Sequence, residues 1–299
     1  MKDILSKCNL CPRNCNINRH ITTGFCGAKD KLVVARAQIY YYEEPCISGK
    51  NGSGAIFFSY CNLKCIFCQN YEISEKHLGK EITIEKFADI CLDLQNKKAN
   101  NINLVTPTHF IPLIKEGLIL AKKKGLKIPI IYNTSSYENV ESLKLLDGLI
   151  DVYLPDFKYY NNKYAIKYSK ANNYVETAKD AINEMYRQVG KCKFNKNGII
   201  TKGVIVRHLM LPSQEMKEDT KKVLYYLYNT YKDNIYISIM NQYTPVKQYK
   251  EKELNDTISE NDYNDIIDYA YNLGIRNAFV QIGETQKLSF IPDFKHPNF

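Results

Sequence analysis

Cys61, Cys65 and Cys68 stand within eight positions of one another, in "YCNLKCIFCQN" (60–70). Three thiolates at this spacing are soft ligands able to converge on one metal centre. The group is too compact to read as three thiols packed by accident. Structural zinc prefers four protein ligands, and only three are local. A 4Fe–4S cluster held by three thiolates keeps one iron open. An open iron can take a small molecule, so it is a reaction site as well as an electron store.

A second group, Cys8, Cys11, Cys15 and Cys26, lies in "CNLCPRNCNINRHITTGFCG" (8–27). Four thiols with a close pair, set among loop-forming Pro, Asn and Gly, read as a metal knot. Zinc and an auxiliary iron–sulfur cluster both satisfy the spacing, and His20 could replace one cysteine in a zinc site. Cys46, in "EEPCISG", is either an extra ligand or a packed thiol. Cys91 falls on the apolar face of a helix and Cys192 is isolated, so both read as structural.

The elements that must position this chemistry alternate along the chain from about residue 54. Strand-like runs are "GAIFFS" (54–59), "NINLVT" (101–106), "IPIIYNT" (128–134), "GLIDVYLPDF" (148–157), "GIITKGVIVRHLMLP" (198–212), "IYISIM" (235–240) and "NAFVQI" (277–282). Between them lie helical patterns at 83–99, 109–125, 172–190, 213–231 and 259–274, with a shorter one in "YENVESLKLL" for which Ser135 or Ser136 is a cap candidate. Apolar residues at Phe87, Ile90, Cys91 and Leu94 illustrate the helical period, and Ser213 is placed to cap the helix that follows it. Strand–helix alternation repeated about six times implies a parallel sheet with right-handed crossovers. No Gly-rich dinucleotide fingerprint follows the first strand, which disfavours an open dinucleotide-binding sheet. The expectation is an α/β fold, a partial (β/α)6-type TIM barrel spanning 51–299, preceded by a cysteine-rich extension over 1–50. In such a barrel, functional groups gather at the carboxyl ends of the strands. Cys61, Thr106, Thr108, Asn133, Thr134, Asp156, Lys158, Arg207 and His208 all occupy such positions.

Composition sets the outer bounds. The chain has 299 residues, 44% hydrophobic and 24% charged, ordinary for a globular enzyme. No apolar run reaches membrane-spanning length, and the amino terminus lacks an apolar signal core. A cytoplasmic address follows, and ten cysteines in a reducing compartment read as ligands rather than disulfides. The net charge of +9 admits nucleic-acid binding, but only six of the 41 basic residues are Arg and no nucleic-acid-binding motif is present, so that partner is disfavoured.

At Cys61, Cys65 and Cys68 the sequence resembles the radical S-adenosylmethionine (SAM) enzymes, whose signature is CxxxCxxC. The resemblance implies a 4Fe–4S cluster whose open iron is chelated by the amino nitrogen and carboxylate oxygen of SAM. It also implies reductive cleavage of SAM and abstraction of a hydrogen atom from a substrate by the resulting 5′-deoxyadenosyl radical, with the electron coming from a donor such as flavodoxin or ferredoxin. Six stretches run in order: "EEPCISGKNGSGAIFFSYCNLKCIFCQNYEIS" (43–74), "NLVTPTHFIP" (103–112), "YNTSSYE" (132–138), "YLPDFKYY" (153–160), "GVIVRHLMLP" (203–212) and "FIPDF" (290–294). Together they resemble homologues of the pyruvate formate-lyase activating enzyme, which implies a protein or peptide substrate. An RNA- or small-molecule-modifying enzyme, and a non-catalytic iron–sulfur electron-transfer protein, are the alternatives.

The resemblance also implies residue roles. Phe67 would lie near the adenine. Thr106-Pro107-Thr108-His109 stands where activating enzymes carry Gly-Gly-Glu, so Thr106 and Thr108 would have to contact the SAM amino group without the acidic residue. Asn133 and Ser135 would meet the methionyl or ribose groups. Asp156 and Lys158 match an Asp-Leu-Lys turn; residues two apart on extended chain point the same way, and Lys158 would pair with the SAM carboxylate. Arg207 and His208 are adjacent on a strand, so only one of them would face the barrel interior, to contact cofactor or substrate; Lys158 and His208 are the candidate catalytic residues, and Asp156, Lys158 and Arg207 candidate cofactor contacts.

Overall fold

The computed structural model describes residues 3–281 together with 283, 286, 292, 294, 298 and 299. Of the expected features, residue 282 of the last strand and residues 290, 291 and 293 of "FIPDF" lie outside the described residues. Ten strands form one curved sheet in the order β10-β9-β8-β6-β5-β4-β2-β1-β3, with β7 paired to β8. They are β1 (Leu32–Tyr40), β2 (Ser53–Phe58), β3 (Lys80–Ile82), β4 (Ile102–Val105), β5 (Ile130–Thr134), β6 (Val152–Pro155), β7 (Lys193–Phe194), β8 (Ile200–Leu209), β9 (Tyr236–Met240) and β10 (Ala278–Val280). From β2 through β10 along that path every pairing is parallel, while β1 is antiparallel to both β2 and β3. This is the expected α/β architecture, consistent with a partial TIM barrel.

The described residues also form nine α-helices: α1 (Pro45–Ser48), α2 (Tyr71–Ser74), α3 (Ile84–Asn96), α4 (Ile111–Lys123), α5 (Val140–Lys144), α6 (Asn162–Ser169), α7 (Tyr174–Val189), α8 (Gln214–Tyr231) and α9 (Glu260–Leu273). Their boundaries follow local chemistry. The side chains of Thr83, Ser213 and Ser259 each accept a backbone N–H from the first turn of α3, α8 and α9, satisfying donors that a helix start leaves open. Helices α3 and α4 pack closely because Gly117 faces Phe87; a Cβ there would come within 2.3 Å of the ring. The central strands read as unbroken apolar runs, with β2 buried along its whole length, as parallel strands covered on both faces must.

Three features differ from expectation. Residues 32–40, placed within the extension by sequence, form β1 and pair along β2. Helices α1, α2 and α6 and the short strands β3 and β7 were not foreseen. The helix expected in "YENVESLKLL" shrinks to α5, whose N-cap is Asn139, and neither Ser135 nor Ser136 caps it. Ser136 instead holds a positive φ of 63° in the turn after β5. No described helix is long and apolar enough to cross a membrane.

Candidate active site

The parallel strands deliver one side chain after another into a cavity of ≈ 370 Å³ at their carboxyl ends. Phe57 from β2, Val105 from β4, Asn133 from β5, Asp156 just past β6, Arg207 from β8 and Met240 from β9 all line it. Cys65, Phe67 and Cys68, from the loop after β2, open onto the same space. The three-cysteine loop and the charged strand ends, more than 80 residues apart in sequence, are therefore walls of one chamber.

A buried charge network forms its floor. Asp156 bridges Arg207 through the backbone, which sets their side chains together. Lys158 Nζ donates to Asp156 at 2.6 Å, and Arg207 Nε donates to the other carboxylate oxygen at 3.0 Å. Arg207 also donates to Asn133 at 2.6 Å and to Glu43 at 3.2 Å. Burial alone would raise Asp156, but Lys158 and Arg207 outweigh it and hold the carboxyl below its usual range. Burial likewise disfavours charge on Lys158, and Asp156 more than offsets this, raising the ammonium. Glu43 is shifted the other way: burial raises its carboxyl, opposed mainly by Arg207. Two acids and two cations in this proximity leave the floor able to trade partners with an incoming zwitterion.

Each motif sulfur has a hydrogen-bond donor. Leu63 N–H donates to Cys61 Sγ at 3.4 Å, Ser169 Oγ to Cys65 Sγ at 2.9 Å and Ser74 Oγ to Cys68 Sγ at 3.5 Å. Donors aimed at sulfur suit thiolates bound to metal. Burial pushes the free thiols of Cys65 and Cys68 up to about 12 and about 11, so a metal must displace protons to bind.

Residues 55–218 match the model of the Radical SAM superfamily. An uncharacterized protein of Methanocaldococcus jannaschii is 32% identical over 270 residues, covering 85% of this chain and 70% of that one. The chain belongs to the radical SAM superfamily. Among solved structures, HydG, a maturase of the FeFe-hydrogenase, is similar with a TM-score of 0.51 at 16% identity, covering 74% of this chain and 49% of that one. Methylornithine synthase gives 0.49 at 14% identity, covering 74% and 60%. The chain thus spans about half to three fifths of those structures' lengths, and the likeness to HydG concerns the fold alone.

For a radical SAM protein, the residues present fit a 4Fe–4S cluster at Cys61, Cys65 and Cys68: three thiols, each with a donor, beside a chamber with room for a ligand. The other expected site residues divide: Phe67, Asn133, Asp156, Lys158 and Arg207 line the chamber, whereas Thr106, Thr108, Ser135 and His208 do not. Phe67 is buried at the chamber wall, edge-on to Tyr243. Thr108 turns away from the chamber and donates to Glu138 at 2.6 Å, alongside Thr134 at 2.5 Å and Tyr132 at 3.2 Å. Thr106 has a positive φ of 60° and gives its N–H to Asn133 O; neither threonine is among the chamber's lining residues. Ser135 is likewise outside the lining, and its carbonyl accepts from Tyr174.

His208 corrects the expectation of a catalytic residue. It points to the opposite face of β8 from Arg207 and is fully buried. Its Nδ1 donates to Phe157 O at 2.7 Å and its Nε2 lies 2.9 Å from Thr220 Oγ1 of α8. Burial drives its pKa down to about 4, so the ring is a neutral packing element between β8 and α8. Cys46 also lies away from the cluster loop, in an apolar group with Ile47, Ile131 and Cys192.

Sequence reasoning missed Glu43, although "EEPC" was part of a matched stretch. Two adjacent acids directly after an aromatic strand end were the available signal. It also missed the polar rim of Tyr42, Gln69, Asn70, Gln242 and Gln281, residues whose types carry no spacing signature.

Proposed function

We propose that this radical SAM protein is an enzyme that binds a 4Fe–4S cluster through Cys61, Cys65 and Cys68 and acts on a protein or peptide, in the manner of glycyl-radical-enzyme activases. The observation that carries the reading is the shared chamber: Cys65 and Cys68 face the same ≈ 370 Å³ space as Asn133, Asp156, Lys158 and Arg207. When bound, the cluster and SAM together supply one-electron cleavage of a sulfonium and a hydrogen-abstracting radical. The chain's own residues bind and orient. Lys158 pairs with the SAM carboxylate, and Asp156 accepts from its ammonium. This replaces the missing Gly-Gly-Glu contact with a group from the neighbouring strand end. Phe67 offers an apolar wall to the adenine.

The rim favours a peptide. Gln69 Nε2 donates to Gln242 O at 3.1 Å, and Gln281 Nε2 to Gln242 Oε1 at 2.9 Å. Amide side chains of this kind present both donors and acceptors, the complement of a peptide backbone. A net charge of +9 favours encounter with an acidic electron carrier, such as flavodoxin or ferredoxin.

The test is anaerobic reconstitution followed by reduction in the presence of SAM. The wild-type protein is expected to release 5′-deoxyadenosine, and to incorporate deuterium into it from a Cα-deuterated glycyl peptide. Cys65→Ala is expected to lose the cluster and all cleavage. Wild-type iron and cleavage rate in Cys65→Ala would sink the cluster assignment. Cleavage without deuterium transfer from any peptide would sink the substrate class alone.

A further inference from the structure

Four thiols of the amino-terminal segment are not used by the SAM chamber. Cys8, Cys11, Cys15 and Cys26 line a separate cavity of ≈ 20 Å³, which shares no residue with the chamber. The backbone is folded to bring them there. Cys8 N–H donates to Ile17 O and Asn16 N–H to Cys8 O, both at 2.8 Å, and Asn14 and Asn16 adopt positive φ angles of 43° and 53°. Gly24 is required beside them, because a Cβ would meet Cys15 Sγ at 2.7 Å.

An independent observation points to an occupant. Arg19 and His109 also line this cavity, at 1% and 2% exposure. Arg19 Nε and His109 Nδ1 have no hydrogen-bond partner. The other guanidinium nitrogens of Arg19 are spent on the carbonyls of His109 and Lys29, and His109 Nε2 donates to Ser59 O at 2.7 Å. A buried guanidinium with a free donor is costly unless an acceptor or counter-charge faces it. Four neutral thiols supply only weak acceptors and no counter-charge. Four thiolates on a metal centre carry the negative charge that Arg19 lacks.

Two centres match four thiolates: a tetrahedral zinc ion and a 4Fe–4S cluster. Either carries the negative charge that faces Arg19, and metal content tells them apart.

We propose that Cys8, Cys11, Cys15 and Cys26 bind a second metal centre as thiolates, a 4Fe–4S cluster or a zinc ion, with Arg19 donating to it, and that this knot braces the loop carrying the first cluster. The brace is Arg13, between Cys11 and Cys15. Its guanidinium lies 3.7 Å over the Phe25 ring. Nε donates to Asn62 O at 2.8 Å, and Nη2 reaches Leu63 O and Ser169 O, each at 3.4 Å. Asn62 and Leu63 are residues of the Cys61–Cys65 loop, and Ser169 is the donor to Cys65 Sγ. The bracing role rests on the proposed reading of that loop; the second metal site does not.

Three anaerobically reconstituted proteins test it: wild type, Cys61→Ala/Cys65→Ala/Cys68→Ala and Cys8→Ala/Cys11→Ala. A second 4Fe–4S cluster gives about eight irons in wild type and about four in each variant; a zinc site gives about four irons and about one zinc in wild type, zinc alone in the triple variant and iron alone in the double variant. When reduced, the double variant should show a paramagnetic resonance signal that SAM alters. A triple variant with neither iron nor zinc overturns the second site and leaves the first intact. A metal-loaded triple variant beside a double variant whose signal ignores SAM would instead sink the SAM assignment. For the brace, Arg13→Ala should keep wild-type iron while weakening the SAM-induced spectral change, and Arg13→Lys should restore part of it. A change identical to wild type in Arg13→Ala overturns the brace.

Discussion

Lys158 is the residue on which the chamber's affinity for a zwitterion turns. It sits 2.6 Å from Asp156, and both are only 16% exposed. Its charge is held mainly against burial by that one carboxylate. Lys158→Met keeps the length of the stem and removes the ammonium. SAM binding is expected to weaken at least tenfold, corresponding to about 1.4 kcal/mol, with iron content unchanged, as read by equilibrium binding to the reconstituted protein. Unaltered affinity would show that the ammonium does not meet the cofactor. The residues of this floor were readable to different degrees. Asp156 and Lys158 were legible because a two-residue spacing on extended chain fixes their common direction. Arg207 and His208 could not be told apart by sequence, since alternation says that one faces inward but not which one. Glu43 was illegible because it reaches Arg207, 164 positions away, from a segment outside the parallel repeat.

Among the elements, α7 does more than cover the sheet. Tyr174, its first residue, sends a fully buried hydroxyl under the turn that carries the functional groups. That hydroxyl lies 2.9 Å from Ser135 O and 3.0 Å from Asp156 O, and it accepts from Lys158 N–H at 3.0 Å. It therefore ties the turn after β5 to the turn after β6. Tyr174→Phe keeps the ring among Phe157, Tyr137 and Tyr159 but leaves one donor and two acceptors unpaired. Stability is expected to fall by about 1–3 kcal/mol, and the KM for SAM to rise more than kcat falls. A stability loss with unchanged KM would confine Tyr174 to packing. Sequence showed the strand–helix alternation well, because buried parallel strands and amphipathic helices have distinct periods. Strand β1 was hidden: its antiparallel pairing with β2 breaks the alternation, and its neighbourhood was dominated by cysteines. Helix α6 was hidden because "NKYAIKYS" is short and mostly polar.

For the whole molecule, stability against pH depends on buried groups of opposite sign. His208 has a folded pKa of about 4 against an ordinary 6.5, because burial disfavours the imidazolium. Its contribution is complete above 6.5 and is lost as pH falls toward 4. Glu138 behaves inversely. Burial raises it to about 7 from 4.5, in spite of donors from Thr108, Thr134 and Tyr132. Its contribution is complete below 4.5 and is lost as pH rises through 7. Asp219, raised to about 6 by burial, acts in the same direction as Glu138, and His109, lowered to about 3 by burial, in the same direction as His208. Between pH 7 and 5 the two kinds of group oppose one another, so wild type should show a shallow pH dependence. Removing one side exposes the other. Glu138→Gln cannot take up a proton, so acidification from pH 7 to 5 should cost it on the order of 2 kcal/mol more than it costs wild type. His208→Asn should shift the slope in the opposite sense. Urea midpoints at the two pH values measure this as a difference of slopes, independent of how much either substitution lowers stability at neutral pH. Parallel slopes in all three proteins would mean that neither side chain changes its protonation on unfolding in this range.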